Sequence, residues 1–369
     1  MHDEYEDNPV TSVPDKTFDN RDLGIEKLEN VDIGIVTRPT PGSDGHKRWG
    51  GDPYLTFSEP VAVRHGGHEL KVVGASFFTK TDKMTAASFG IPAGPKSVGG
   101  TCPAADLPEG YSKHHALGEV DDQPMRYDEQ ICRKCYANKG NFMYELQQLY
   151  QTARYHWLDD QFSDGQSPDQ VAAIVTEALA THLGNTKKRK ADGEDPRFFR
   201  IHDSGDLYTM NIWRMWRKVC LNLPDVKFWC PTRQWLIPAY TKLFQQEGVP
   251  ENLALRPSAY HFDDIAPVID GLAAGSTAHY WEDRKKDPRR TDPLKEDLAD
   301  WVCPAYEEGG KSCGGALDRA SRSRTGHDLD SLQGLLGKMT AEERELTGNG
   351  HDCRVCWLRK DMRVSYKAH

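Results

Sequence analysis

At 369 residues, with 37% hydrophobic and 28% charged content, the chain is long enough to bury a full core as one large domain or two ordinary ones. A formal net charge of −9 argues against a broad electrostatic footprint for nucleic acid, and no apolar run reaches the ~18 residues of a membrane span. The opening residues Met1 to Asp7 are acidic and carry no apolar stretch, which excludes a secretory signal and places the chain in a reducing cytoplasm.

Residues 1–30 are rich in Asp, Glu and Asn with little apolar periodicity, and read as a mobile acidic arm. From Asp32 to Lys80, short apolar runs (Ile33 to Val36, Leu70 to Val73, Ala75 to Phe78) alternate with Gly and Pro turns, the pattern of a small β region. A Gly/Pro-rich loop follows from Gly90 to Gly110. Residues 141–161 carry Leu146, Leu149, Tyr150, Ala153 and Trp157 on one helical stripe, and Ser167-Pro168-Asp169 opens a second helix running to about His182. The basic stretch Lys187 to Lys190 lies in a segment that reads as an exposed loop.

A strand–helix unit then recurs. Strands are expected at Phe198 to Ile201, Val226 to Trp229, Asn252 to Leu255 and Thr277 to Trp281, with helices over Tyr208 to Leu221, Ile237 to Gln246 and Asp264 to Leu272. Strand starts at 198, 226, 252 and 277 imply parallel strands joined by right-handed crossovers. That pattern fits a barrel or an open doubly wound sheet, and the expected fold class is α/β, a partial or full βα-barrel-like parallel sheet. An N-terminal β region opens this core, which spans residues 31–300, and a Cys-rich metal-binding segment, 301–369, closes the chain. In such sheets the chemistry lies in loops after the strands. Here those segments are His202 to Asp206, Cys230 to Arg233, Arg256 to Ser258 and Cys303-Pro304.

Seven of the nine cysteines fall into two sets with metal-ligand character. Cys102, Cys132 and Cys135 supply three thiolates, which leave one position open on a zinc ion or an iron–sulfur cluster. Cys303, Cys313, Cys353 and Cys356 supply four, enough for a closed site holding structural zinc or a saturated cluster. Cys230 is either a further ligand or a buried thiol, and Cys220, on a helix, is a buried thiol.

The loop His202-Asp203-Ser204-Gly205-Asp206 concentrates an imidazole, two carboxylates and a hydroxyl beyond a strand. His202 and Asp203 form a candidate catalytic acid–base pair, and Ser204, Gly205 and Asp206 a candidate cofactor cradle. Asp206 also stands where it would cap the helix starting near Tyr208. Arg233 and Arg256 follow consecutive strands, so both guanidinium groups are expected at one mouth, suited to a carboxylate or phosphate, with solvated surface arginines the alternative. The runs Lys187 to Lys190 and Arg284 to Arg290 are solvated loops or phosphate contacts. Lys113-His114-His115 shows no metal-ligand spacing. The chain has no Walker loop, no Gly-x-Gly-x-x-Gly after a strand and no Gly-x-Ser-x-Gly elbow, which removes most nucleotide hydrolases, dehydrogenases and serine esterases.

Several of these pieces stand in an order that resembles the phage gene-product-88 family. They are Lys83-Met84, Ala87 to Ala93, Thr101-Cys102-Pro103, Cys132-x-x-Cys135-Tyr136-Ala137, Arg200 to Asp206, and Cys303-Pro304 with Cys313 and Cys353-x-x-Cys356-Trp357. The resemblance spans about residues 70 to 360. It implies phage origin, action in the host cytoplasm and an iron–sulfur type of cysteine pattern. A three-cysteine [4Fe–4S] cluster with an open iron is also the mark of radical S-adenosylmethionine enzymes, and Ser204-Gly205-Asp206 is similar to the Gly-Gly-Glu element by which they hold the methionine amino group. The two likenesses together imply one or two [4Fe–4S] clusters, S-adenosylmethionine as cosubstrate and a nucleotide or nucleobase as substrate. A zinc-containing nucleobase transferase with Asp203 as nucleophile or base, and a metal-stapled binding protein without catalysis, are the other expectations.

Overall fold

A computed structural model of the chain describes residues 25–26, 35–38, 54–57, 61–65, 68–72, 76–80, 84, 86–108, 111, 113–118, 130–135, 137, 142, 144–184, 195–262, 264, 266–279, 301–303, 340–341 and 353–367. Cys313, both basic runs and most of the N-terminal arm lie outside these residues.

The N-terminal region forms two antiparallel arrangements. Strands β1 (Ile25–Glu26), β4 (Val61–His65) and β5 (His68–Val72) pair in the order β1-β5-β4, and β2 (Ile35–Arg38) pairs with β3 (Tyr54–Phe57). The run Ala75 to Phe78, expected as a strand, is not one among its described residues: Phe77 and Phe78 bend into the core, and β6 is Thr79–Lys80.

The core sheet has the order β6-β7-β8-β9-β10, with β7 at Ala87–Phe89, β8 at Phe198–Ile201, β9 at Lys227–Thr232 and β10 at Leu253–Pro257. Strands β7 to β10 run parallel, and β6 is antiparallel to β7. Each crossover moves one strand along without reversing. Right-handed crossovers in one direction put their helices on one face. Those helices are α1 (Glu145–Ser163), α2 (Pro168–Gly184), α3 (Met210–Asn222) and α4 (Pro238–Glu247). Ser167 caps α2, exchanging bonds with Gln170 in a capping box.

Alternation along the strands sorts the two faces. Ala87, Phe89, Phe199, Ile201, Phe228, Cys230, Leu253 and Leu255 join Leu149, Ala153, Trp157, Val175, Trp216 and Phe244 of the helices in the main core. Phe198, Trp229 and Ala254 face the other way and pack on Cys303, Cys353, Cys356, Trp357 and Val364 of the C-terminal segment. That segment thus covers the second face of the sheet.

Two expectations are corrected. The strand after β10, β11 (Ser276–His279), does not continue the core sheet. It pairs in parallel with β13 (Val364–Lys367), which pairs in parallel with β12 (Trp301–Val302), and one bridge between Ser258 and Ser276 ties the two sheets. Among the described residues no pairing joins β6 to β10 into a closed barrel. The described part of Asp264 to Leu272 is turn and extended chain rather than helix: Pro267 supplies no N–H, and Gly271 adopts φ +81°.

Candidate functional site at the carboxyl ends of the parallel strands

The loops after β7 and β8 lock together backbone to backbone. Asp203 N–H donates to Phe89 O at 3.1 Å, Ile91 N–H to Ser204 O at 3.2 Å, and Asp206 N–H to Thr101 O at 3.2 Å. Contact this close needs glycine on both sides. A Cβ on Gly90 would lie 2.0 Å from Asp203 Oδ1, and one on Gly205 would lie 2.4 Å from Ile91 Cγ1 and from Thr101 Oγ1. Gly205 also holds φ +78°, and His202 holds φ +56°.

The side chains of Asp203, Ser204 and Asp206 are engaged within the protein. Asp203 Oδ2 accepts from Thr79 Oγ1 and Ser88 Oγ, both at 2.8 Å, and the buried Arg154 guanidinium lies within electrostatic reach. Ser204 Oγ donates to Ile91 O at 2.7 Å and accepts from Gln151 Nε2 at 2.8 Å. Asp206 does not cap α3, which is capped by Thr209 accepting from Ile212 N–H at 3.3 Å. Instead Asp206 Oδ1 accepts from Thr232 Oγ1 at 2.7 Å and Leu207 N–H at 2.8 Å, and Oδ2 accepts from Arg233 N–H at 2.9 Å. It therefore fastens the end of β9 to the loop after β8. Burial pushes its carboxyl above the ordinary range, and these donors oppose that shift. His202 lies buried between Phe89 and Trp216 with neither ring nitrogen hydrogen-bonded.

The first thiol set gathers just beyond this lock. Cys102 N–H donates to Gly94 O at 3.0 Å, and the residue opens a short 3-10 turn, Pro103–Asp106, in the loop after β7. Cys132 sits in the 3-10 turn Ile131–Lys134, and Cys135 ends it. That turn rests on the loop after β10: Ile131 N–H donates to Tyr260 O at 2.8 Å, and Gln130 bridges His261. Arg233, from the end of β9, donates through Nε to Ala259 O at 2.8 Å and lies within electrostatic reach of Cys132.

The electrostatics place these groups in one neighbourhood. Burial pushes the Cys132 thiol up to about 11, with Arg233 opposing and Cys135 and Asp206 adding. Cys102 is pushed well up by burial, then by Asp206, Cys135 and Cys132. Burial alone would lower Arg233, but Cys132, Cys135, Asp206 and Cys102 together raise it. The three thiols are partly exposed, so solvent reaches the site. Among the described residues no three His, Cys, Asp or Glu side chains are drawn together tightly enough to hold a metal ion. As a donor set the three thiols suit a thiophilic metal.

Arg256 is not at this mouth, contrary to expectation. It points from β10 to the opposite face, fully buried, and donates to Ala274 O at 2.5 Å, Met362 O at 2.6 Å and Arg359 O at 3.0 Å. There it lies beside the second thiol set. Cys303, Cys353 and Cys356 are buried in one cluster with Trp229, Trp357 and Met362. Cys356 Sγ lies 3.1 Å from Tyr366 Oη, and Cys303 N–H donates to Ser365 O at 2.8 Å. Burial raises the Cys356 thiol, opposed first by Arg256. Cys230 lies within β9, facing the helices in the apolar core, where burial pushes its thiol well up; Cys220 is likewise buried there.

Gln151, Arg154 and Tyr366, with no motif to single them out, also shape these sites, as does Arg200. Arg200 alone left a sequence signal: it interrupts an apolar strand, and its guanidinium lies 4.6 Å over the Trp229 ring.

The sequence profile of the family described as gene product 88 matches residues 63–357. The Gene 88 protein of Mycobacterium phage L5 is 32% identical over 131 residues, covering 35% of this chain and 49% of that protein. The Gene 88 protein of Mycobacterium phage D29 is 30% identical over 105 residues, covering 28% and 40% respectively. The chain thus spans half or less of the length of these curated relatives. No solved structure matches the chain.

Proposed function

The chain belongs to the gene product 88 family, and from that premise we propose that it is a phage metalloprotein of the host cytoplasm, with a thiolate-ligated iron–sulfur cluster held by Cys102, Cys132 and Cys135. One observation carries the reading. Thiols from two separate stretches of chain converge on the single guanidinium of Arg233, at the carboxyl ends of parallel strands. A half-buried cation beside three thiols matches the negative charge that thiolate ligation brings.

Three protein ligands leave one position of such a cluster for a small molecule. The activity proposed for it is reductive cleavage of S-adenosylmethionine, directed at a nucleotide or nucleobase. The unreversed order of β7 to β10 is compatible with an arc of a βα barrel, the architecture this activity would use. In this scheme Arg233 balances the charge of the thiolates, Asp206 holds Arg233 in place, and Gly90 and Gly205 let the two loops close beneath the site.

Purification without oxygen, followed by quantification of iron, sulfide and zinc, tests the proposal. Iron and sulfide in the wild type, lowered in Cys132→Ser and Cys135→Ser, are the expected result. Zinc alone would remove the iron–sulfur assignment, and metal content indifferent to both substitutions would remove the centre. Iron without cleavage of S-adenosylmethionine would remove the enzyme activity and leave a metal-stapled binding protein.

A further inference from the structure

The second face of the sheet carries a set of groups that the first centre does not use. Cys303, Cys353 and Cys356 share one buried cluster, 8%, 5% and 7% exposed. Around them stand donors without acceptors. Arg256 is fully buried and satisfies both Nη groups on backbone carbonyls, while its Nε–H has no partner. Trp229, in the same cluster and stacked on Tyr366 at 6.0 Å, has no partner for its Nε1–H. The contrast with Trp357 is direct, since its Nε1–H donates to Phe199 O at 3.0 Å.

Two facts make this arrangement costly for neutral thiols. A buried donor left unpaired costs about 1–3 kcal/mol, more when charged. Among the described residues the hydrogen bonds of Arg256 go to carbonyls and none to a carboxylate, while Cys356 and Tyr366 lie within its electrostatic reach. A buried guanidinium calls for a nearby negative charge. Sulfur becomes both anionic and a good acceptor when it binds a metal, and N–H groups aimed at ligating sulfur are the usual second layer of such centres.

We propose that Cys303, Cys353 and Cys356 hold a second thiolate-ligated metal centre, zinc or iron–sulfur, on the opposite face of the sheet from the first, and that Arg256 Nε and Trp229 Nε1 donate to its sulfur. Tyr366 Oη adds a third donor at Cys356. Arg256 is thereby a positioning and charge-balancing residue of this centre, not a ligand-binding residue of the mouth. The centre also fastens the chain: Arg256 grips the carbonyls of Arg359 and Met362, just past helix α5 (Val355–Leu358) that carries Cys356. This proposal is independent of the first thiol set.

The test uses full-length chain in which Cys102, Cys132 and Cys135 are all serine, loaded with Co2+ as the probe. One cobalt per chain with thiolate-to-cobalt charge transfer is expected, lost when Cys353→Ser and Cys356→Ser are added. The fold-neutral variant is Trp229→3-benzothienylalanine, which keeps the bicyclic ring and replaces only the unpaired N–H by sulfur. It should leave the metal-free melting temperature unchanged or higher and weaken cobalt binding about tenfold, equivalent to ~1.4 kcal/mol. Iron, sulfide and zinc analysis of protein purified without oxygen then distinguishes cluster from zinc. The proposal falls if the triple-serine chain binds no cobalt, if the charge transfer survives loss of Cys353 and Cys356, or if Trp229→3-benzothienylalanine leaves affinity unchanged.

Discussion

Thr232 Oγ1 donates to Asp206 Oδ1 at 2.7 Å, and this bond joins the end of one parallel strand to the loop after its neighbour. Because Oδ2 of the same carboxylate holds Arg233 N–H, Asp206 sets the position of the guanidinium that faces the first thiol set. An amide in its place must turn its NH2 toward a donor. Asp206→Asn is therefore expected to cost ~2 kcal/mol of stability and to lower the metal content of the first site. Urea denaturation with parallel metal analysis checks both, and a stability change below ~0.5 kcal/mol would show that the carboxylate is not the fastener described.

Asp203 is the sterner case, because its chemistry as a base and its bonding as a strut predict different outcomes. Thr79 and Ser88 both donate to Oδ2, joining the antiparallel edge strand to the loop after β8. Asp203→Ala takes this acceptor from the buried Ser88 hydroxyl and the half-buried Thr79 hydroxyl and removes the carboxylate opposite Arg154, so a loss of ~3 kcal/mol is expected. A variant that melts like wild type and has lost only activity would return Asp203 to catalysis.

Much of this architecture is written in local pattern. The strand Phe198 to Ile201, the crossover helices and the gathering of chemistry after the strands all follow from periodicity and turn residues. Direction is less legible. Arg256 follows its strand as Arg233 follows the previous one, yet it belongs to the opposite face, because Leu253 and Leu255 point to the helices and Ala254 and Arg256 away from them. That alternation is in the sequence, but its meaning depends on the second face being covered by residues a hundred positions later. The cap of α3 fails for a similar reason: Asp206 competes for distant partners on β9, and Thr209 takes the local role. Helix pattern over Asp264 to Leu272 was contradicted by Pro267, whose missing N–H outweighs the apolar spacing.

Gly205 gives the sharpest steric prediction. Its φ of +78° disfavours any side chain, and a Cβ would meet Ile91 and Thr101 at 2.4 Å. Gly205→Ala combines backbone strain with a collision against neighbouring atoms, so a loss of at least ~3 kcal/mol is expected. By contrast Gly165, with φ +83° and open space around it, should lose only ~1 kcal/mol on the same substitution. Equal melting temperatures for the two variants would contradict the close packing of the loops.

The ion pair between Lys113 and Asp264, at 2.6 Å, sets the lower end of the scale. Both side chains are about a quarter exposed, so solvent screens the pair. Lys113→Ala should change stability by no more than ~1 kcal/mol, with the effect shrinking in high salt. A larger, salt-insensitive loss would mean that the short helix it begins is more deeply tied to the site than its exposure indicates.

His202 supplies the pH prediction. Burial, with the Arg200 charge adding, holds its imidazole at about 3 against an ordinary 6.5. Between those values the unfolded chain carries a proton on this residue that the folded chain does not. Its contribution to stability is therefore intact above pH 6.5 and falls as the pH drops toward 3, by ~1.4 kcal/mol per pH unit. His202→Asn tolerates the positive φ but loses the ring between Phe89 and Trp216, a cost of ~2 kcal/mol at pH 7.5. Because asparagine does not titrate, the gap between variant and wild type should close by ~2 kcal/mol on going from pH 6.5 to pH 5. Groups such as Asp160, whose carboxyl burial raises to about 6, act equally on both proteins and cancel in the difference. Denaturation curves that stay parallel across this range would mean that the imidazole is protonated in the fold, with a counter-ion beside it.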